Sequence, residues 1–270
     1  MENMGLEGTY DKVQDNSYKE IWDVAIGLNK VDNLLPSKYL LEISKQSYEI
    51  GKSTDDIEKA LNKYYSTLNT DDEVIANERE CDIVSTRIVK ILGDKSFNFS
   101  PIYLKTIHRI LFTDVFKYPL NNYIGKFREY NITKKESVLK NESVTYGDYN
   151  GLLDYLKYDF DVEAEINYAK LTVEEQVKRI AKFTSAIWQV HPFCEGNTRT
   201  VAVFMIKYLN FLGYEVNNNL FKEHSKYFRD ALVLSNYTNI KLGYKASYKY
   251  LESFYYKLIS EQEIELEIVN

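Results

Sequence analysis

The sequence predicts an all-α protein, a helical bundle around a buried central helix with one small β-hairpin. Apolar residues recur at helical spacing through most of the 270 residues. Residues 199–212 are apolar on nearly every side, as expected of a helix in the middle of a bundle. Residues 128–146 contain short runs of β-type residues, which predict a hairpin.

The first 70 residues have the pattern of a small helical segment. An amphipathic pattern covers residues 17–28, and a second begins after Pro36 and ends at Gly51. Thr54 is the predicted N-cap of a third helix, because two aspartates follow it in the first turn. The polar stretch 66–73 predicts a boundary. We therefore divide the chain into segment 1–70, a larger domain 71–260 and a tail 261–270.

The larger domain contains further helix signals. One helix is predicted from Val74 to Leu92, and Ser100 followed by a first-turn proline predicts the start of the next. Thr172 and Glu175 form a capping-box pattern ahead of another helix. The remaining predicted helices cover residues 149–160, 221–235 and 246–259.

The composition excludes several classes of protein. The longest apolar runs are shorter than the roughly 18 residues of a membrane span, and the mean hydropathy is −0.41. A net charge of −6 argues against a protein whose main task is binding nucleic acid. The N-terminus lacks the basic start and apolar core of a secretory signal, and two cysteines do not suggest a disulfide framework. We therefore expect a cytoplasmic protein that binds neither membrane nor nucleic acid.

The candidate catalytic and ligand-binding residues lie in the sequence HPFCEGNTRT at residues 191–200. His191 is predicted to end one helix and Asn197 to begin the next, whose free N–H groups and dipole favour phosphate. Gly196 lets the backbone approach an anion closely. Asn197 can cap the helix or donate to a phosphate oxygen, and Arg199 can bind a polyphosphate through both guanidinium edges.

Two further residues of this loop suit group transfer. Glu195 places a carboxylate beside the anion site, which makes sense if a hard cation such as Mg²⁺ bridges the two. His191 can accept a proton near neutral pH. The simpler alternative is a polar helix–loop–helix connection without a ligand, but a buried loop with this many polar groups must satisfy them.

These residues resemble the signature of Fic-domain protein adenylyltransferases, HPFx(D/E)GNGRxxR. The seven matching positions are His191, Pro192, Phe193, Glu195, Gly196, Asn197 and Arg199. The resemblance extends from about residue 74 to 259. Within it, residues 123–132 (YIGKFREYNI) are similar to the segment that precedes the family's flap hairpin. Residues 211–214 (FLGY) are similar to the end of the family's central helix. It implies the Fic fold, with the hairpin beside the active site.

The resemblance also implies the role of each motif residue. His191 resembles the general base, and Glu195 resembles the ligand of Mg²⁺, with Mn²⁺ as an alternative. Gly196, Asn197 and Arg199 resemble the family's phosphate cradle. Thr198 stands in place of a glycine, and a small polar residue still fits a helix start.

The main departure from the pattern is Ala202, which replaces the second arginine. In the family, that arginine contacts the terminal phosphate and pairs with an inhibitory glutamate from an antitoxin-like helix. Residues 1–70 resemble such a segment weakly. The candidate glutamates are Glu49 and Glu58, the latter in a (S/T)xxxE match that begins at Thr54. Because Ala202 carries no charge, we expect neither glutamate to inhibit strongly.

Two other parts of the site are predicted outside the motif. Targets are expected to dock as an extended strand along the hairpin, at Ile132, Thr133, Lys134 and Val138, because an exposed strand edge offers main-chain hydrogen bonds. For Lys134 and Lys135 themselves, a role as solvated turn residues is favoured over contact with the substrate. Asn236 and Tyr237 follow a helix that resembles the family's adenine wall.

The resulting hypothesis is a transferase that moves AMP from ATP to Ser, Thr or Tyr hydroxyls of target proteins, with release of pyrophosphate and self-modification. One alternative is the same fold transferring another group, such as UMP or phosphate. A second is an inactive binding module, which the intact His191 and Glu195 disfavour. The expected partners are ATP and a hydroxyl-bearing protein, and the sequence leaves homo-oligomerisation open.

Overall fold

The protein is built from helices packed around one buried helix, with a two-stranded hairpin at one side. The computed structural model describes residues 16–216, 219–260 and 263–268. The polar start of the chain, residues 1–15, and four residues of the predicted tail, 261–262 and 269–270, lie outside the described residues. No helix in the described ranges is both long and apolar enough to cross a membrane.

The helices and strands are numbered in chain order. The helices are α1 (Asn16–Asn29), α2 (Lys38–Ile43), α3 (Lys45–Glu49), α4 (Thr54–Tyr65), α5 (Glu73–Gly93), α6 (Pro101–Phe112), α7 (Leu152–Ala164), α8 (Val173–Val190), α9 (Asn197–Phe211), α10 (Asn219–Asn236) and α11 (Lys249–Ser260). The strands are β1 (Thr133–Lys135) and β2 (Ser143–Thr145). This confirms the all-α class with a small hairpin.

Helix α9 is the predicted central helix. Every residue from Asn197 to Leu209 is buried, because α5, α6 and α8 pack against it. A helix that is apolar around its whole circumference has this environment. The site motif lies at its N-terminus, so the core of the protein supports the loop between α8 and α9.

The helix starts follow the predicted capping signals with one exception. The Thr172 N–H donates to Glu175 Oε2 (2.8 Å), and the Glu175 N–H donates to Thr172 Oγ1 (3.3 Å), which confirms the capping box. The assignment of Thr54 as an N-cap is wrong. Ser53 has the extended backbone of a cap, and its hydroxyl accepts from the Asp56 N–H at 3.1 Å, so Thr54 is the first helical residue.

The hairpin is confirmed, but its strands cover less of the chain than the predicted residues 128–146. Strand β1 pairs antiparallel with β2, and Lys134 lies opposite Val144. The Glu136 N–H donates to the Glu142 carbonyl at 3.1 Å, and the chain between them forms a 3-10 turn. Val138 lies in that turn and is buried, so it does not belong to a strand edge.

The N-terminal helices share the core of the larger domain. Helix α1 packs between α5 and α10, and its Trp22 and Leu28 are buried. A Cβ atom on Gly27 would lie 2.4 Å from the Lys222 Cα, so glycine permits this approach of α1 to α10. The boundary near residue 70 stays a prediction.

A buried carboxylate joins the N-terminal helices to α5. The Ser37 and Tyr65 hydroxyls each donate to Asp82 Oδ2 at 2.6 Å, and the Ser37 N–H donates to Oδ1 at 3.0 Å. Burial raises the pKa of Asp82 to about 6, although these three donors lower it. The carboxyl therefore holds two segments together at some electrostatic cost.

Candidate active site

The motif loop borders a charged cavity of about 510 Å³. The walls come from the end of α1, helices α5 and α10, the hairpin and the start of α9. Glu195, Arg199 and Arg229 are among the lining residues. The high density of charges suits a polar, anionic ligand better than an apolar one.

His191 lies at the C-terminal end of α8. It adopts a left-handed backbone (φ 49°), and its N–H donates to the Trp188 carbonyl at 3.0 Å. The ring Nδ1 lies 3.1 Å from the same carbonyl, an acceptor only, so Nδ1 carries the proton and Nε2 keeps its lone pair. The imidazole stacks on the Tyr146 ring with 3.6 Å between centroids, which fixes its plane.

The surroundings of His191 favour its neutral form. Burial lowers its pKa to about 3, and the nearby positive charges of Lys134 and Arg229 act in the same direction. The imidazole is therefore unprotonated at neutral pH, which is the form that can accept a proton. The low pKa also makes it a weak base, so a substrate proton must be acidified as it is transferred.

Arg128 fixes the start of the loop to the hairpin. Its Nε donates to the His191 carbonyl at 2.8 Å, and Nη1 donates to the Tyr130 carbonyl at 2.7 Å. Nη2 donates to the carbonyls of Gly147 and Val190. The resemblance of residues 123–132 pointed to this segment. It did not predict that the Arg128 side chain donates to four backbone carbonyls.

His108 fixes the other end of the loop and has a structural role. Its Nδ1 accepts from the Gly125 N–H at 3.0 Å, so Nε2 carries the proton and donates to the Glu195 carbonyl at 3.1 Å. The ring stacks on Phe193, with centroids 3.9 Å apart. Burial lowers the pKa of His108 to about 4, which keeps the neutral tautomer that this bridge requires.

The backbone at Gly196 has the conformation and the close contact that require glycine. Its φ is +75°, and a Cβ atom there would lie 2.4 Å from the Phe112 ring. The Gly196 N–H points to Glu195 Oε1 at 3.0 Å. An anion at this helix start would therefore compete with the Glu195 carboxylate for this donor.

The next two predicted phosphate-binding side chains stabilise the loop. Asn197 Oδ1 accepts from the Phe193 N–H (2.9 Å), and Asn197 Nδ2 donates to the Phe193 carbonyl (2.7 Å). Thr198 Oγ1 accepts from Trp188 Nε1 at 3.0 Å. Both side chains therefore hold the loop in its conformation. The N–H groups in the first turn of α9 are the donors that remain for an anion.

Glu195 is the one carboxylate of the motif. Its side chain is 36% exposed and lies 3.7 Å from Lys134 Nζ. No group of three or more His, Cys, Asp or Glu residues in the described part of the chain is arranged to hold a metal ion. Glu195 nevertheless fits Mg²⁺, because this ion commonly takes one protein carboxylate together with substrate phosphates and water.

Arg199 is held by acidic residues that the sequence did not reveal. It is 1% exposed, and its Nη2 donates to Glu80 Oε1 at 2.7 Å. Its Nε lies 2.8 Å from Asp32 Oδ2, although this N–H does not point at the oxygen. Asp32 and Glu80 are more than 100 residues from Arg199 in the sequence, so no local pattern could identify them.

The two candidate inhibitory glutamates lie elsewhere. Glu58 forms an ion pair with Arg87, with 2.7 Å between Oε1 and Nη2. Glu49 is an exposed residue at the end of α3. Neither lines the charged cavity, and Asp32 and Glu80 are the acids that contact the motif arginine.

The remaining predicted site residues occupy two places. Thr133 and Lys134 lie on β1, and Ile132 precedes it, so three of the four predicted docking residues form one edge of the hairpin. The Asn236 amide donates to the Leu232 carbonyl at 3.0 Å, and Tyr237 packs edge-on against Tyr244. Neither lines the charged cavity, and their assignment to the adenine side stays a prediction.

Comparison with known proteins identifies one family. Residues 98–209 match the sequence profile of the Fic/DOC family. This range contains the hairpin, the motif loop and most of α9. No curated protein matches the chain.

Solved structures show the same fold. The N-terminal FIC domain of Bep8, a VirB-translocated effector protein from Bartonella sp. 1-1C, superposes with a TM-score of 0.51 at 20% identity, covering 74% of this chain and 85% of that one. A Fic family protein from Desulfovibrio desulfuricans G20 gives a TM-score of 0.53 at 11% identity, covering 92% of this chain and 66% of that one. The helical bundle with its hairpin is therefore a Fic fold.

Proposed function

Because residues 98–209 match the profile of the Fic/DOC family, we propose that this chain is a protein adenylyltransferase. It transfers AMP from ATP to Ser, Thr or Tyr hydroxyls of target proteins and of itself. The observation that carries the proposal is the neutral His191 at the edge of an anion-binding loop. Its Nδ1–H is committed to the Trp188 carbonyl, so Nε2 is the available base.

The reaction is an in-line displacement at the α-phosphorus. The target hydroxyl oxygen forms a bond to the α-phosphorus, and the bond from that phosphorus to the bridging oxygen of the β-phosphate breaks. Pyrophosphate leaves with the bonding electron pair. The hydroxyl proton passes to His191 Nε2, whose charge is then stabilised by the Nδ1–H bond to the Trp188 carbonyl.

The chain's own groups orient and stabilise the phosphates. The free N–H groups at the start of α9 would stabilise developing negative charge on the phosphates, and the Gly196 N–H, which now donates to Glu195 Oε1, would join them. Glu195 is the carboxylate that would hold Mg²⁺ or Mn²⁺, and the bound ion would supply positive charge at the phosphates. Lys134, 3.7 Å from Glu195, adds a further cation at this edge.

The hairpin supplies the place for the target. Thr133 and Lys135 are exposed on β1, and the described residues contribute no backbone hydrogen bond to the outer edge of this strand. On the other side, Gln189 Nε2 donates to the Thr145 carbonyl of β2 at 3.0 Å, so that edge is covered. An extended target segment can pair with β1 with little demand on its sequence.

The test is a transfer assay with α-labelled ATP on a lysate of the host, followed by mass spectrometry of the modified proteins. His191→Ala should lower transfer by about 10²–10⁴-fold while ATP still binds, because only proton removal is lost. His224→Ala is the matched control, since His224 is half-buried on α10, outside the motif loop. Activity of His191→Ala within tenfold of the parent would refute the assignment.

The same assay distinguishes transfer of AMP from transfer of another nucleotide or of phosphate. Parallel reactions with α-labelled UTP, GTP and CTP identify the preferred base, and γ-labelled ATP detects phosphate transfer. A protein that modifies no target with any nucleotide, but binds partners equally well as His191→Ala, would be a binding module instead.

A further inference from the structure

The imidazole of His191 lies flat against an aromatic ring that follows the hairpin. The centroid of the Tyr146 ring is 3.6 Å from that of the imidazole, and the two planes differ by 15°. Tyr146 comes directly after β2, and both side chains are buried. The Trp188 ring packs edge-on against both rings, with centroids 5.5 Å from Tyr146 and 5.1 Å from His191. The stack is therefore enclosed and shielded from water.

Hydrogen bonds on both sides of Tyr146 hold the stack in place. The Gly147 N–H donates to the Gln189 carbonyl at 3.1 Å. The Gln189 side chain in turn donates through Nε2 to the Thr145 carbonyl at 3.0 Å. Gln189 belongs to the last turn of α8, the helix that ends at the imidazole itself. The tyrosine ring and the imidazole are therefore fixed to each other by the same helix end.

The proposed reaction puts a positive charge on this imidazole. The target hydroxyl proton passes to Nε2 while the oxygen's electron pair forms the bond to phosphorus. Burial opposes the resulting imidazolium, and the positive charges of Lys134, Arg229 and Arg128 act in the same direction. The hydrogen bond of Nδ1 goes to a backbone carbonyl and not to a carboxylate. The charge therefore needs stabilisation from another group.

The face of the Tyr146 ring can supply this stabilisation. The π electrons of an aromatic ring attract a cation that lies within about 6 Å of the ring centroid, and most strongly where water is excluded. The stack with His191 meets both conditions. A neutral imidazole gains little from the same contact, so the attraction grows as the proton arrives.

We propose that Tyr146 is a positioning residue whose ring face stabilises the His191 imidazolium formed during transfer. The proposal rests on the proposed function, because it takes His191 as the base. An interaction that is stronger in the transition state than in the ground state raises kcat without changing nucleotide binding. The stack thus accounts for how a buried histidine near several positive charges serves as a base.

The hydroxyl of Tyr146 is not required for this effect. It is buried and makes no well-aligned hydrogen bond within the described residues. Burial and the negative charge of Glu136 raise its pKa, so the ring is a neutral phenol. Phenylalanine offers the same ring face, and Tyr146→Phe should therefore retain transfer and serve as the reference for the test.

Fluorination of the ring tests the proposal, because fluorine withdraws π electrons from the face while the ring keeps its shape. In the full chain, Tyr146 is replaced by phenylalanine and then by its mono-, di- and pentafluorinated analogues, and initial rates are measured over a range of ATP concentrations. We expect kcat to fall stepwise, by about thirtyfold over the series. The KM for ATP should stay within about twofold. Tyr146→Leu, which has no aromatic face, should show a similar loss of kcat.

The same series at Tyr64 is the matched control. Tyr64 stacks on Tyr39 with 4.5 Å between centroids and 22° between planes, and both belong to the N-terminal helices. Neither ring of this pair acquires a charge, so fluorination should leave kcat within about twofold. Thermal melting of every variant shows whether the fold is kept.

The outcomes separate this inference from the proposed function. If the parent transfers AMP and kcat is constant over the series at Tyr146, or if only KM changes, the stabilising role of the ring is wrong. If the parent transfers no nucleotide, the proposed function is wrong, and NMR titration of His191 then decides about the ring. A His191 pKa that falls with fluorination supports the stabilised imidazolium, and a constant pKa overturns it.

Discussion

The Nε atom of Arg128 donates to the backbone carbonyl of His191 at 2.8 Å, so a buried guanidinium before the hairpin holds the residue proposed as the base. The backbone N–H of Arg128 also donates to the Pro192 carbonyl at 2.8 Å. The position of His191 is therefore set by the segment that leads into β1. This relationship makes the position of His191 sensitive to a residue outside the motif.

Arg128→Lys should impair both stability and transfer. A lysine cannot reach four carbonyls at once, and each buried acceptor left without a donor costs about 1–3 kcal/mol. We expect the free energy of unfolding to fall by about 3 kcal/mol in urea titrations. Arg79→Lys is the control, because Arg79 donates from an exposed position to the Asp114 carbonyl alone. Equal effects of the two substitutions would contradict this role.

The pH dependence of transfer should reflect the buried imidazole. With its pKa lowered to about 3, His191 stays neutral at every pH above roughly 4. Protonation of the base should therefore cause no loss of rate between pH 7.5 and 5.5. An ordinary histidine would lose most of its activity over this interval, since its pKa is about 6.5. Initial rates at fixed saturating ATP decide between the two profiles.

Gly196→Ala should be more harmful than the same change at another left-handed glycine. At Gly51 (φ +73°) an added Cβ meets nothing within 4 Å, so only the backbone conformation is penalised, by about 1–2 kcal/mol. At Gly196 the Cβ would also overlap the Phe112 ring at 2.4 Å, which adds about 1–3 kcal/mol. Denaturant titrations of both variants measure the difference, and equal losses would show that the loop adjusts freely.

The titration of Asp82 should make the free energy of unfolding depend on pH. Its pKa in the folded state, about 6, lies above the usual 3.9, so the folded state binds more protons between pH 4 and 6. Stability contributed by this group is therefore present at pH 4 and lost as the pH rises through 6. Between pH 4.5 and pH 7.5 the parent should therefore lose about 2 kcal/mol of unfolding free energy relative to the Asp82→Asn variant. A constant difference would mean that the pKa of Asp82 is the same in the folded and unfolded states.

The sequence predicted those features whose causes are local. The capping box at Thr172 and the all-round apolar character of α9 each depend on neighbours in the chain, and both are confirmed. The Ser53 cap was missed because Ser53 and Thr54 are both good caps, and only the backbone conformation separates them.

The features that were missed depend on contacts distant in the sequence. Asp32 reaches Arg199 only because α1 packs beside α5 and α10, and Arg229 faces the cavity only because α10 packs on α1. A search for a glutamate in a short pattern leads to Glu58, whose side chain is already paired with Arg87. Val138 was assigned to a docking edge because a β-branched residue favours strands, whereas the turn buries it in the core.

The close approach of α1 to α10 at Gly27 limits which substitutions the N-terminal helices can accept during evolution. The first 70 residues cannot be exchanged for an unrelated helical module, because any replacement must present a glycine where the Lys222 backbone passes and a carboxylate where Arg199 is buried. Losing that segment would remove Asp32 and Asn29, so the buried guanidinium of Arg199 would keep Glu80 as its contacting carboxylate. We therefore expect the segment and the transferase domain to be inherited as one unit, and gene fusions that separate them to be selected against.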